Sequence, residues 1–119
     1  MNDRDTTAIM ADMLKVPGIQ AVVVIGRDGF VIETSGGSSS VDTDALGASL
    51  AAAVNAVEEM GSELSVSLFQ DLFIEYGRAV IICRPLGDAV VALVTPDASK
   101  LGIIRHKIKN HVSDLAKFF

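Results

Sequence analysis

The sequence predicts an α+β fold, an antiparallel sheet of about five strands with helices packed on it, in the order α-β-β-α-β-β-β-α. Three observations carry this. Two apolar runs flank Arg27-Asp28-Gly29, so the stretch Val22 to Glu33 reads as a β-hairpin. Period-two alternation begins at Ser65, and two glycine-containing turns after it make a three-strand meander. Apolar residues at helical spacing occupy the stretches before, between and after these strand groups.

The first helix spans about Thr6 to Lys15, with Ile9, Met10, Met13 and Leu14 apolar, and Pro17-Gly18 stops it. The hairpin strands run from about Ile19 to Ile25 and from Phe30 to Thr34. Gly26 and Gly29 are followed by Phe30, Val31 and Ile32, a second strand rather than the helix that a G-x-G-x-x-G dinucleotide fingerprint requires, so a Rossmann reading fails. Gly36-Gly37-Ser38-Ser39-Ser40 reads as a loop. Asp42, Thr43 and Asp44 supply a cap and negative charge for a central helix over about Asp44 to Met60, ended by Gly61.

From Ser65, the apolar residues Val66, Leu68, Leu72, Ile74 and Tyr76 alternate with Ser65, Ser67, Asp71 and Glu75, which predicts a long strand. Gly77-Arg78 turns the chain into a strand over Ala79 to Arg84. Pro85-Leu86-Gly87-Asp88 turns it again into Ala89 to Thr95. Pro96-Asp97 then precedes a last helix carrying Leu101, Ile104, Ile108, Leu115 and Phe119 on its apolar side.

At 119 residues and 50% apolar composition, the chain has the size of one domain with one real core. A net charge of −5 argues against sequence-independent binding to nucleic acid, which depends on clustered Lys and Arg. The single cysteine excludes an internal disulfide, and the N-terminus lacks the pattern of a signal peptide. No apolar run approaches the roughly 18 residues of a membrane span, so insertion is not expected. These features together fit a cytoplasmic protein.

The catalytic inventory is nearly empty, and no cofactor is expected. There is no G-x-x-x-x-G-K-[ST] run to surround a phosphate. His106 and His111 are five apart and do not share a helix face as a metal-ligand pair would. Ser38, Ser39 and Ser40 have no motif pairing them with a base, and Cys83 reads as a buried thiol within an apolar strand. Asp71 and Glu75, on one strand face, read as solvated charge.

Surface suited to being covered is more informative. Leu46, Leu50, Val54 and Val57 form the stripe of the central helix that should face the sheet, yet Gly47, Ala48, Ala51, Ala52 and Ala56 keep its other sides small and apolar. Close approach of a second copy explains that; alanine as a good helix former on an exposed face is the alternative. Phe69 and Phe73, on the otherwise polar face of the long strand, suggest either a partner contact or cover by a terminal helix. If that strand is a sheet edge, pairing with its twin would remove the edge. Ala51→Glu or Ala52→Glu is then expected to break a dimer while sparing the fold. The last helix concentrates basic residues, Lys100, Arg105, Lys107, Lys109 and Lys117, which suits an acidic partner, a membrane surface or simply a solvated face.

In this order of elements the chain resembles a Roadblock/dynein light chain domain, and within that family the bacterial MglB-like regulators of Ras-like GTPases. The resemblance rests on "MLKVPGIQAVVVIGRDGFVIETSG", "LGASLAAAVNAVEEMG", "IICRPLGDAVVALVT" and "DASKLGIIRHKIK" in succession. It implies a homodimer joined through the central helix and the third strand. Gly47, Ala48, Ala51, Ala52 and Asn55 on the helix, and Val66, Leu68, Phe69 and Phe73 on the strand, are the corresponding interface candidates.

It further implies a platform, itself no enzyme, that binds a small Ras-like GTPase and stimulates GTP hydrolysis. Such a partner could insert an arginine, for which the turn residues Arg27 and Arg78 are the candidates, or hold the GTPase in its hydrolysis-competent conformation, which needs only differential affinity. The competing expectation is a scaffold subunit that assembles other proteins without altering a GTPase cycle. A small-molecule sensor would need a pocket with convergent polar groups, and none is apparent in the strands.

Overall fold

The computed structural model describes residues 5–37, 41–66 and 69–119. Helix α1 (Thr6–Leu14) leads into strands β1 (Ala21–Gly26) and β2 (Val31–Gly36), followed by α2 (Thr43–Glu63), the meander β3 (Leu72–Glu75), β4 (Val80–Leu86) and β5 (Ala89–Thr95), a 3₁₀ turn (Ala98–Lys100) and α3 (Leu101–Ala116). The strands form one antiparallel sheet in the order β2-β1-β5-β4-β3. The expected fold class and element order are observed.

Strand alternation splits the core into two layers. Val22, Val24, Ile82, Val91 and Leu93 pack against Met10 and Met13 of α1 and Ile104, Ile108 and Leu115 of α3. On the other face, Val23, Ile25, Cys83, Val90 and Ala92 pack against Leu50, Ala51 and Val54 of α2. Because β1 and β5 are covered on both faces, their sequences are almost continuously apolar rather than alternating.

The β1–β2 connection is a four-residue turn in which the Gly29 N–H donates to the Gly26 carbonyl, 3.0 Å. Gly29 takes φ 95°, a conformation costly for a side chain, and Asp28 accepts from the Phe30 N–H at 3.1 Å. Beyond the turn, Ile25 pairs with Val31 and Val24 with Glu33, so Ile32 is the extra residue of a β-bulge on an edge strand.

Two sequence expectations are corrected in the α2–β3 region. Helix α2 passes through Gly61 to Glu63 and ends at a Schellman motif: the Val66 N–H donates to the Gly61 carbonyl at 2.9 Å and the Ser65 N–H to that of Ser62 at 3.1 Å. The left-handed cap residue is Ser65, φ 59°, where glycine is usual. Strand β3 accordingly has only four residues, Leu72–Glu75, and does not begin at Ser65. Its ladder stops at Leu72 opposite Cys83; the next two residues meet through side chains, Asp71 accepting from Arg84, and Pro85 beyond has no N–H to donate. Of the residues assigned to the long strand, Ser67 and Leu68 lie outside the described residues, as do Ser38, Ser39 and Ser40 of the Gly/Ser loop.

Candidate functional site

The surface most suited to a partner is the outer side of α2 with the structures at its two ends. Asp42 caps the helix, its carboxylate accepting from the Ala45 N–H at 3.0 Å. One row of α2 packs inward: Gly47, Leu50, Ala51 and Val54 are buried against the sheet. The outer rows, Ala45, Ala48, Ser49, Ala52, Asn55 and Ala56, are exposed. The helix therefore presents a low, small-residue surface to solvent.

Gly47 and Ala51, expected at an interface, are therefore inward-facing. A Cβ on Gly47 would lie 3.0 Å from Val31 Cγ2 and 3.1 Å from the Gly29 carbonyl oxygen, so glycine is what lets α2 lie close against the hairpin. Ala51 is 5% exposed. Ala48, Ala52 and Asn55 are exposed on the outer face.

At the N-terminal end of α2, a cavity of about 400 Å³ opens between the helix and the hairpin tip, lined by Asp28, Gly29, Phe30, Val31, Asp44 and Ala48. Phe30 is 75% exposed. The apolar run assigns it to the second hairpin strand, but it lies between the positive-φ Gly29 and β2; its place directly after Asp28-Gly29 is the signal that marks it. At the C-terminal end, Met60, Leu64 and Val66 are exposed, and β3 forms the sheet edge beyond them. The exposed ends of the helix are missed by a periodicity argument, which finds only the inward stripe.

The aromatic pair expected on one strand face is divided. Phe69 precedes β3 and packs, partly buried, against the α2-side core. Phe73 pairs with Ile82 on the α3 side of the sheet, 40% exposed, with the Arg105 guanidinium 5.4 Å from its ring centroid. The last helix thus covers Phe73 in part, which was one of the two expected outcomes.

Of the turn arginines, Arg27 does not project. Its guanidinium pairs with Glu58 of α2 and donates to the Gly87 carbonyl at 3.2 Å, tying the hairpin to α2 and to the β4–β5 turn. Arg78, in the β3–β4 turn, is exposed and makes no ion pair among the described residues. Asp71 is also corrected: rather than solvated charge, it is a half-buried carboxylate accepting from Arg84 Nε at 2.6 Å and from Arg105 Nη2 at 3.0 Å. Glu75 is exposed.

Cys83 is fully buried and desolvation pushes its thiol up to about 12, which keeps it protonated and unreactive. The Asp97 carboxyl is held below its usual range by the hydroxyl and then the N–H of Ser99, as a cap of the 3₁₀ turn. No group of three or more His, Cys, Asp or Glu is disposed to hold a metal among the described residues, nor is any described helix long and apolar enough to cross a membrane.

A hairpin, a helix across one sheet face and a three-strand meander closing onto β1 define a family architecture, and the Roadblock/LC7 domain family model matches residues 7–95. The chain belongs to the Roadblock/LC7 family. As a Roadblock/LC7 protein it is 27% identical over 111 residues to an uncharacterised protein of Methanocaldococcus jannaschii, an alignment covering 93% of this chain and 96% of that relative. Its fold is MglB-like: the structure of Myxococcus xanthus MglB superposes with a TM-score of 0.90 over 100% of this chain and 98% of that one, at 21% identity. An MglB solved in a tetrameric arrangement superposes with a TM-score of 0.85, at 21% identity, over 94% of this Roadblock/LC7 chain and 85% of its own.

Proposed function

We propose that this Roadblock/LC7 protein is a cytoplasmic, non-enzymatic homodimeric platform that binds a small Ras-like GTPase and stimulates its GTP hydrolysis. The observation that carries the reading is the exposed surface of α2, small at Ala48, Ala52 and Asn55 and apolar at Met60, Leu64 and Val66 around its C-terminal end, together with β3 as an edge strand of the sheet. Small residues let a second α2 approach closely, and exposed apolar side chains beside an unpaired edge favour burial. Paired along β3, two copies would form one continuous sheet with both α2 helices on the same side. The tetrameric arrangement of the MglB that superposes on this chain is in keeping with self-association, as is the MglB-like fold itself.

Hydrolysis is stimulated by conformational selection in this reading. Arg27 would have to leave Glu58 and Gly87 to act as an inserted arginine, and Arg78 is the only one of the two candidates already exposed. A surface that prefers the hydrolysis-competent GTPase by about 1.4 kcal/mol raises the population of that state tenfold relative to the rest, with no chemical group supplied. The decisive experiment is single-turnover GTP hydrolysis by a small Ras-like GTPase from the same genome, with and without saturating protein. Acceleration supports the reading. Binding without acceleration favours the scaffold alternative, and absence of binding removes the GTPase from the proposal.

A further inference from the structure

Beside α3, at the end of the sheet, a cavity of about 560 Å³ lies between the segment leading into β3, the end of β4 and α3. Arg84, Arg105, His106 and Lys109 line it, with Asp71 as the one carboxylate. Three of the chain's ten Lys and Arg residues thus surround one concavity in a protein whose net charge is −5. Arg105 and Lys109 are one helical turn apart on α3 and share a face.

The cations are held in place. Asp71 accepts from Arg84 Nε at 2.6 Å through one oxygen and from Arg105 Nη2 at 3.0 Å through the other, and the Phe73 ring supports the Arg105 guanidinium. The side chains of Arg84 and Asp71 are only 17% and 12% exposed. Asp71 engages Arg84 through Nε alone, and the Arg84 Nη1 and Nη2 groups have no partner among the described residues. Those two groups are the forked donors that match phosphate oxygens, and a guanidinium already fixed by Asp71 loses little freedom on binding. Phe69, Pro85 and Val112 supply an apolar wall, and the volume lies in the range of small-ligand sites.

We infer that this cavity is an anion site that recognises the phosphate group of a small soluble ligand, through Arg84, Arg105 and Lys109. The concave placement of these cations, rather than a spread along α3, favours a small ligand over a flat acidic surface; Lys100, Lys107 and Lys117 do not line the cavity. The inference does not depend on the GTPase reading, which concerns the α2 side.

Inorganic phosphate is the probe, because the inference requires that the group itself be recognised. It would be titrated into the isotopically labelled full chain at constant ionic strength, with backbone amide shifts followed by NMR. Saturable shifts confined to residues around Asp71, Arg84 and Arg105–Lys109 are expected. Lys109→Gln should weaken apparent affinity by about tenfold, the loss of one charge-assisted hydrogen bond. Lys117→Gln, which removes the same charge outside the cavity, should leave it unchanged. Shifts that do not saturate or that spread over the chain, or equal affinity in Lys109→Gln and the unaltered protein, would overturn the inference. Both lysines are exposed, so neither substitution threatens the fold.

Discussion

Arg27 lies in a turn, where an arginine is ordinarily solvated, and is instead anchored at both ends of its guanidinium. Its side chain is 26% exposed and that of Glu58 21%, so the pair is worth more than a surface salt bridge but escapes the full cost of burial. Arg27→Ala should lower unfolding free energy by about 1–2 kcal/mol in urea titrations, and Glu58→Gln by a similar amount. The double variant should cost less than the two singles added, because each removes the same interaction. Strict additivity would show that the two side chains do not act together. Cys83 makes a second residue-scale prediction. Burial raises its thiol from 9.0 to about 12, so the folded state holds its proton where the unfolded state releases it. The stability from this protonated thiol is fully present below pH 9.0 and is lost as the pH rises toward about 12. Cys83→Ala should therefore show a shallower fall in stability across that window, by up to about 1.4 kcal/mol per pH unit, when both proteins are followed by denaturant unfolding. Parallel pH profiles would refute the assignment.

At the scale of elements, most of the architecture is legible in the sequence because period and burial agree. The stripe Leu46, Leu50 and Val54 repeats every four residues, and the turn glycines fall between apolar runs. The α2–β3 region is not legible, and Ser65 explains part of the reason. A helix end is recognised by glycine at the left-handed position, and Gly61 attracts that reading although the motif closes at Ser65. The alternation from Ser65 to Tyr76 also has the pattern of a strand, but a strand needs a partner, and β4 supplies one only opposite Leu72–Glu75. Likewise, nothing local to Asp71 announces Arg84 and Arg105, 13 and 34 residues away. Glycine at position 65 would remove the strain of a left-handed serine; Ser65→Gly is expected to raise stability by about 0.5–1 kcal/mol in thermal or urea unfolding. A loss of stability would mean that the serine side chain contributes more than its backbone conformation costs.

At the scale of the molecule, two alanines that look alike in the sequence part company. Ala51 is 5% exposed against the sheet, so Ala51→Glu buries an unpaired carboxylate and should destabilise the fold by several kcal/mol. Ala52 is exposed on the outer face of α2. Ala52→Glu should leave urea unfolding within about 0.5 kcal/mol of the unaltered protein yet shift sedimentation toward the monomer. If Ala52→Glu sedimented as an unchanged dimer, the proposed seam would have to move to β3 and the apolar end of α2. Separate parts of the molecule carry separate proposals, an association surface on the α2 side and an anion cavity beside α3, and each is testable in a variant that leaves the other intact.

The strand order β2-β1-β5-β4-β3 places the first strand of the chain beside the last. Residues 21–26 pair with residues 89–94, so the middle of the sheet is completed only by the last strand of the meander. During synthesis the β1–β2 hairpin emerges with one side of β1 unpaired until residues 89–94 have followed it. The nascent chain therefore carries an open, sticky edge until β5 arrives, and that interval is when this protein most needs protection from its neighbours.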